Sequence, residues 1–186
     1  MSPNYRLLMV TWNADGVKSR SCELRDFINK YNPDIISLQE TWLRPSHTLT
    51  LENYRTYRND RKHKPHHNQT YRGGGTAILI KNTIKHTRIP APDLENAEAT
   101  LIALTPDRGD SILFASLYVH VKGSTASITN NLDKLIDLGF PSCIIMGDFN
   151  AKHPSWGCDI ESGRGKKINS YTEQKGLRII APPTPT

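Results

Sequence analysis

Ser142-Cys143-Ile144-Ile145-Met146-Gly147-Asp148-Phe149-Asn150-Ala151-Lys152-His153-Pro154-Ser155-Trp156-Gly157 carries an apolar run straight into a turn-dense polar segment. Ser142–Met146 reads as a buried strand that ends abruptly at Gly147-Asp148. A carboxylate, Asp148, and a carboxamide, Asn150, therefore stand where a rigid strand gives way to a loop. The same arrangement occurs twice upstream. Arg6–Trp12 (RLLMVTW) runs into Asn13-Ala14-Asp15-Gly16, and Asp34–Glu40 (DIISLQE) closes on Gln39-Glu40. In layered α/β proteins, groups at strand ends are fixed by the strand and reached by water. Two carboxylates (Glu40, Asp148) and two carboxamides (Asn13, Asn150) placed this way offer hard oxygen ligands suited to Mg²⁺, which takes few protein carboxylates and keeps water. Each residue also has a plainer reading: Asn13 as a cap, Glu40 as a surface acid, and Asp148 as a turn former ahead of Asn150.

Outward from these three runs, helical and extended patterns alternate. Arg20–Tyr31 places Leu24, Phe27, Ile28 and Tyr31 on one helical stripe, stopped by Asn32-Pro33. Arg72-Gly73-Gly74-Gly75 lacks the Gly-x-x-x-x-Gly-Lys spacing of a phosphate cradle and reads as a turn into a strand at Thr76–Lys81. Glu98–Leu104 and Ser111–Val119, separated by a stretch with Pro106 and Gly109, read as a hairpin. Ser127–Leu138 is a second amphipathic helix, closed by Gly139 and Pro141. Lys166–Lys175 is a short basic helix with Gly176 at its C′ position, and a weak strand is expected at Leu177–Ile180. With no internal repeat and no linker, residues 1–186 read as a single mixed α/β domain.

Composition narrows the class. A chain of 186 residues, 37% hydrophobic with a mean hydropathy of -0.53, can build one core. It has no apolar run near the roughly 18 residues of a membrane span, and Met1–Val10 does not read as a secretion signal. Cys22, Cys143 and Cys158 cannot all pair and lack CxxC spacing, which points to a reducing, intracellular setting without a disulfide-linked partner. Cys143 reads as a small buried hydrophobe and Cys158 as a loop thiol. Nearly all of the net charge of +6 lies between Arg55 and Arg72, where Arg55, Arg58, Arg61, Lys62, Lys64 and Arg72 face only Asp60. Such a block suits a polyanionic partner, with a solvated loop as the alternative. His63, His66 and His67 sit in it without the cysteines or carboxylates of a metal site.

The order Thr11-Trp12-Asn13, Leu38-Gln39-Glu40-Thr41, Leu117-Tyr118 and Gly147-Asp148-Phe149-Asn150-Ala151 resembles the endonuclease/exonuclease/phosphatase superfamily. Tyr57-Arg58-Asn59-Asp60-Arg61 followed by Gly73-Gly74-Gly75-Thr76-Ala77, and Gly147–Gly157 with Arg164-Gly165 and a closing Pro-Thr, resemble the apurinic-type endonuclease domain of jockey-like non-LTR retrotransposons. The resemblance spans essentially the whole chain. It implies a four-layered α/β sandwich of the pancreatic-deoxyribonuclease-like type and a phosphodiester hydrolase that uses Mg²⁺, with Mn²⁺ as a substitute. By that resemblance Glu40 ligates the metal with Asn13 beside it, and Asp148 orients or deprotonates the attacking water with Asn150 holding it. Tyr118 hydrogen-bonds the scissile phosphate. Arg58, Arg61, Lys62, Lys64 and Arg72 meet the DNA.

The implied partner is double-stranded DNA in the nucleus, and the implied product is a nick whose 3′-hydroxyl primes a reverse transcriptase carried elsewhere in the element. The family pattern continues with a Ser-Asp-His motif and closing strands that are not found after Asp159. The expectation is accordingly a sandwich lacking its C-terminal strands, an N-terminal strand left at a sheet edge, and impaired nuclease activity. Two other readings compete: a non-catalytic nucleic-acid-binding remnant using Arg55–Arg72 and Lys166–Lys175, and a phosphatase of the same superfamily acting on a lipid or inositol phosphate.

Overall fold

The structure, a computed structural model, describes residues 6–61 and 73–182. Its elements run β1 (Met9–Asn13), α1 (Ser21–Tyr31), β2 (Ile35–Gln39), β3 (Tyr54–Asn59), β4 (Thr76–Lys81), β5 (His86–Ile89), β6 (Ala97–Leu104), β7 (Ile112–Val119), α2 (Ser127–Ile136), β8 (Ser142–Asp148) and α3 (Gly163–Lys175). The strands form two four-stranded sheets, ordered β1-β2-β4-β3 and β5-β6-β7-β8. The mixed α/β class expected from sequence is therefore present, with two sheets and three helices. Two compact units divide the described residues. One takes those up to Ala91 with Glu98–Tyr118 and Gly139–Gly147; the other takes Pro92–Ala97, Val119–Leu138 and those from Asp148 onward.

In the first unit, β1 and β2 are parallel, so α1 serves as the crossover between them. β4 pairs antiparallel with both β2 and β3. The two-residue period of β2 sorts its side chains cleanly. Ile36 and Leu38 join Leu24, Val17 and Leu79 in the core under α1. Ile35, on the other face, packs with Ile78, Ile80, Ile102, Leu104 and Phe114 in the seam between the sheets. Toward the C-terminal end of β2 the seam changes character: Ser37 and Gln39 follow Ile35 on the inward face and hydrogen-bond across to the second sheet.

The second unit is built on α2 and α3. Ile128, Leu132 and Leu135 are buried on α2, as are Ile168 and Tyr171 on α3. Asp133 joins the helices by accepting from the Tyr171 hydroxyl (2.8 Å) and the Lys175 ammonium (2.9 Å). Those hydrogen bonds hold its carboxyl below the ordinary carboxylate range. Asn131 clasps the Glu95 backbone with both amide atoms (3.0 and 2.8 Å).

Several expectations need correction. β1 begins at Met9 rather than Arg6 and is only half-buried, because it is an edge strand. The α1 stripe divides: Leu24 and Ile28 face the core, while Phe27 and an exposed Tyr31 stack on each other with centroids 4.8 Å apart. Leu177–Ile180 is not a strand; no described strand lies alongside to bond it, and Ile180 stays exposed. β3 and β5 were not visible as apolar runs. No helix among the described residues is long and apolar enough to cross a membrane.

Asp34 ties the far end of the first sheet together. Its carboxylate accepts from the Leu8 amide (2.8 Å) and from Lys81 Nζ (2.9 Å). Burial pushes this carboxyl up, but the hydrogen bonds from Lys81 and Leu8 outweigh it and leave it below the ordinary carboxylate range. A depressed folded-state value stabilises the fold above the unfolded pKa, and that stabilisation is lost as pH falls through the folded value. Asp34→Asn is expected to cost about 1–2 kcal/mol at neutral pH in urea unfolding. The gap to wild type should narrow as the pH drops below the ordinary carboxylate range; a gap independent of pH would refute the ionic role.

Candidate active site

The polar end of the seam carries the first group of candidate residues. Gln39 Nε2 donates to Ser37 Oγ (2.8 Å) and Ser116 Oγ (3.1 Å), and Gln39 Oε1 accepts from Thr11 Oγ1 (3.1 Å). Ser116 passes its own hydroxyl to the Leu38 carbonyl at 2.9 Å. Beside it, Thr76 and Thr100 are joined hydroxyl to hydroxyl (2.8 Å), and Asn59 Nδ2 donates to the Ala99 carbonyl (3.0 Å). Every one of these groups has a partner, which is the condition for burying polar atoms without a large penalty.

Glu40 is the next residue after this lattice. Its backbone is left-handed (φ 47°), an uncommon state for a non-glycine residue, and one that clusters at functional sites. Asn13 Nδ2 donates to Glu40 Oε1 at 2.9 Å, while Asn13 Oδ1 accepts from the Asp15 amide at 3.2 Å. Asn13 thus both accepts from the turn that follows β1 and holds the carboxylate. The Ala14 and Gly16 amides bond the Gln39 and Glu40 carbonyls (2.9 and 2.8 Å), so the β1 and β2 exits are laced together.

Trp42, which sequence reasoning passed over, is also left-handed (φ 54°) and 38% exposed, with its ring against Gly16 and its Nε1 toward Gly73. Glu40 Oε2 points to Gly73 as well. The sequence signal that could have found Trp42 is a large aromatic residue two positions after the strand-end acid. Tyr118 is buried at the end of β7, on the same face as Phe114 and Ser116.

Among the described residues no group of three or more His, Cys, Asp or Glu could hold a metal ion. A carboxylate steadied by a carboxamide suits Mg²⁺ or Mn²⁺, which draw remaining ligands from water and phosphate. Of the expected DNA-binding residues, Arg58 donates to the Arg44 carbonyl (2.6 Å), the His47 carbonyl and Asp60 (2.7 Å), and Arg61 pairs with Glu98. Both guanidinium groups are turned onto the chain's own acceptors. Lys62, Lys64 and Arg72, with His63, His66 and His67, lie outside the described residues.

The second unit positions Asp148 and Asn150. Ahead of them, Gly147 belongs to the first unit and passes so close to Leu117 of β7 that a Cβ would collide with the Leu117 carbonyl. Asp148 Oδ1 accepts from the Asn150 amide (2.8 Å), and Asn150, left-handed at φ 47°, donates through Nδ2 to the Val119 carbonyl (2.7 Å). Arg164 supports both segments from α3. It is 6% exposed and donates to the carbonyls of Asn150 (2.9 Å), Phe149 (3.3 Å), His120 (3.0 Å) and Val121 (3.4 Å). Its neighbour Gly165 lets α3 lie on the Lys152 carbonyl, where a Cβ would collide. His153 caps the turn Pro154–Trp156 through Nδ1 and faces Glu161 at 3.1 Å.

Removing a buried cation that satisfies four carbonyls exposes a large unsatisfied set. Arg164→Ala is expected to destabilise the chain by about 3 kcal/mol in chemical denaturation. Arg164→Lys should recover only part of this, because one ammonium cannot span the guanidinium fork. An unchanged denaturation midpoint for both variants would contradict the bracing role.

The sequence matches the Endonuclease/Exonuclease/phosphatase family over residues 10–185. It is similar to the RNA-directed DNA polymerase from mobile element jockey of Drosophila funebris, at 27% identity over 94% of this chain and 18% of that protein. It is also similar to the probable RNA-directed DNA polymerase from transposon X-element of Drosophila melanogaster, at 29% identity over 97% of this chain and 19% of that protein. The chain thus spans about a fifth of the length of these curated relatives. Among solved structures, the endonuclease domain of TRAS1, a telomere-specific non-LTR retrotransposon, shares the fold with a TM-score of 0.73, at 18% identity over 93% of this chain and 74% of that one. Matched over nearly its whole length, the chain belongs to the Endonuclease/Exonuclease/phosphatase family.

Proposed function

We propose that this chain is the endonuclease domain of a non-LTR retroelement, a divalent-metal-dependent phosphodiesterase that nicks double-stranded DNA and leaves a 3′-hydroxyl. The carrying observation is Glu40, held by Asn13 where the buried polar lattice of the sheets ends, in a chain of this family whose relatives are retroelement polymerases. Glu40 would hold the ion, with Asn13 setting the carboxylate's direction. Bound there, Mg²⁺ or Mn²⁺ supplies Lewis-acid stabilisation of charge on the phosphate and the leaving oxygen. Tyr118 donates its hydroxyl to the phosphate as negative charge grows there. Asp148 orients or deprotonates the attacking water, and Asn150 fixes the loop that carries it. The reading places the protein with nuclear DNA and a downstream reverse transcriptase. The single-domain reading of 1–186 belongs to the same proposal.

Incubation with supercoiled plasmid and Mg²⁺ tests this. Open circles extendable by a DNA polymerase are expected, abolished by a chelator and restored by Mn²⁺. Glu40→Gln and Asp148→Asn should each lower the rate by about 10²-fold or more. Nicking indifferent to the chelator and to both substitutions would refute the assignment. Binding without cleavage would favour the remnant reading, and phosphate release from small esters without nicking would favour a phosphatase.

A further inference from the structure

Just past β3, Arg61 reaches across to the second sheet. Its Nε donates to Glu98 Oε1, and Glu98 Oε2 accepts the Gly75 amide at 2.5 Å. The guanidinium carbon stands 5.7 Å over the centre of the Tyr118 ring. The Arg61 and Glu98 side chains are only 25% and 11% exposed. Gly74 completes the enclosure, because a Cβ there would overlap the Arg61 guanidinium. The cation is therefore held by a carboxylate, a ring and a glycine backbone, all within the first unit. A residue that serves a DNA backbone needs donors free to face outward; Arg61 commits Nε to Glu98, and its Nη2 is buried with no hydrogen-bond partner among the described residues.

We propose, building on the nuclease reading above, that Arg61 and Glu98 are positioning residues for Tyr118 and not contacts to the DNA backbone. A cation over the ring face fixes the ring's tilt and so the direction of its hydroxyl. It also favours the partial negative charge that the phenol oxygen gains as it donates toward a phosphate in the transition state. Glu98 keeps the guanidinium over the ring and anchors the Gly75 amide with its other oxygen. Gly73 and Gly74, at the Glu40 and Arg61 side chains respectively, continue directly into that anchored turn.

The test combines single and double substitutions in the plasmid assay with a metal-free DNA-binding titration over a range of salt. Arg61→Gln and Glu98→Gln are each expected to lower kcat about tenfold with KM unchanged. Arg61→Lys should recover part of the loss. Arg61→Gln combined with Tyr118→Phe should be no slower than Tyr118→Phe alone, because Arg61 acts through that ring. The salt slope of DNA binding should match wild type. Losses that multiply in the double variant, or a raised KM with a salt slope lower by about one, would overturn the proposal in favour of a phosphate contact. If Arg61→Gln fails to fold, Glu98→Gln and Arg61→Lys carry the same comparison. A wild-type chain that never nicks refutes the nuclease reading itself, whereas a nicking wild type with multiplicative losses refutes only this assignment.

Discussion

Gln39 is fully buried between two sheets, and its carboxamide must find partners on both sides of it. It does so with Thr11 on β1, Ser37 on its own strand and Ser116 on β7. A buried polar side chain is costly when unsatisfied and specifying when satisfied, since only one register brings all its partners into reach. A one-residue slip of β2 would turn Gln39 out of the seam and carry Glu40 in, burying a carboxylate without the donors that satisfy it. The lattice thereby fixes where the strand exits and where Glu40 stands. The seam around it is graded, from Ile35, Ile80 and Phe114 at one end to Thr76, Thr100 and Ser116 at the other, and finally to the Arg61–Glu98 pair. Apolar burial supplies cohesion, and the polar end supplies direction.

The second unit fixes its own polar residues by another means. Asp148 closes β8 and Asn150 follows it on a loop, where a buried arginine takes over that task. Arg164 gathers carbonyls from the two segments that carry Asn150 and Val119, and Asn150 bonds the Val119 carbonyl directly. A planar guanidinium with donors on several edges fits this work better than any apolar side chain.

Sequence alone exposed the residues that close apolar runs. Asn13, Glu40 and Asp148 stand at strand ends because Arg6–Trp12, Asp34–Glu40 and Ser142–Met146 are readable as strands. β3 was hidden because Tyr54–Asn59 carries polar or charged residues on both faces, so no two-residue period stands out. The short β5, His86–Ile89, gave even less. Leu177–Ile180 misled in the opposite direction: its composition suits a strand, but a strand is defined by its neighbour. The roles of Arg61 and Arg164 were equally out of reach. Each depends on a partner distant in sequence, 37 residues for Arg61 with Glu98 and 44 for Arg164 with the His120 carbonyl. A basic cluster read as a DNA-facing patch thus includes two arginines bound to the chain's own oxygens.

If the lattice exists to hold Glu40 as a metal ligand, binding of a paramagnetic ion must report it locally. Mn²⁺ titration followed by broadening of backbone amide NMR signals is the most direct measurement. Broadening is predicted to begin at Asn13, Glu40, Trp42 and Gly73, and to vanish in Glu40→Gln. Broadening that starts at exposed acids such as Glu23 or Asp107, or that persists in Glu40→Gln, would contradict the account.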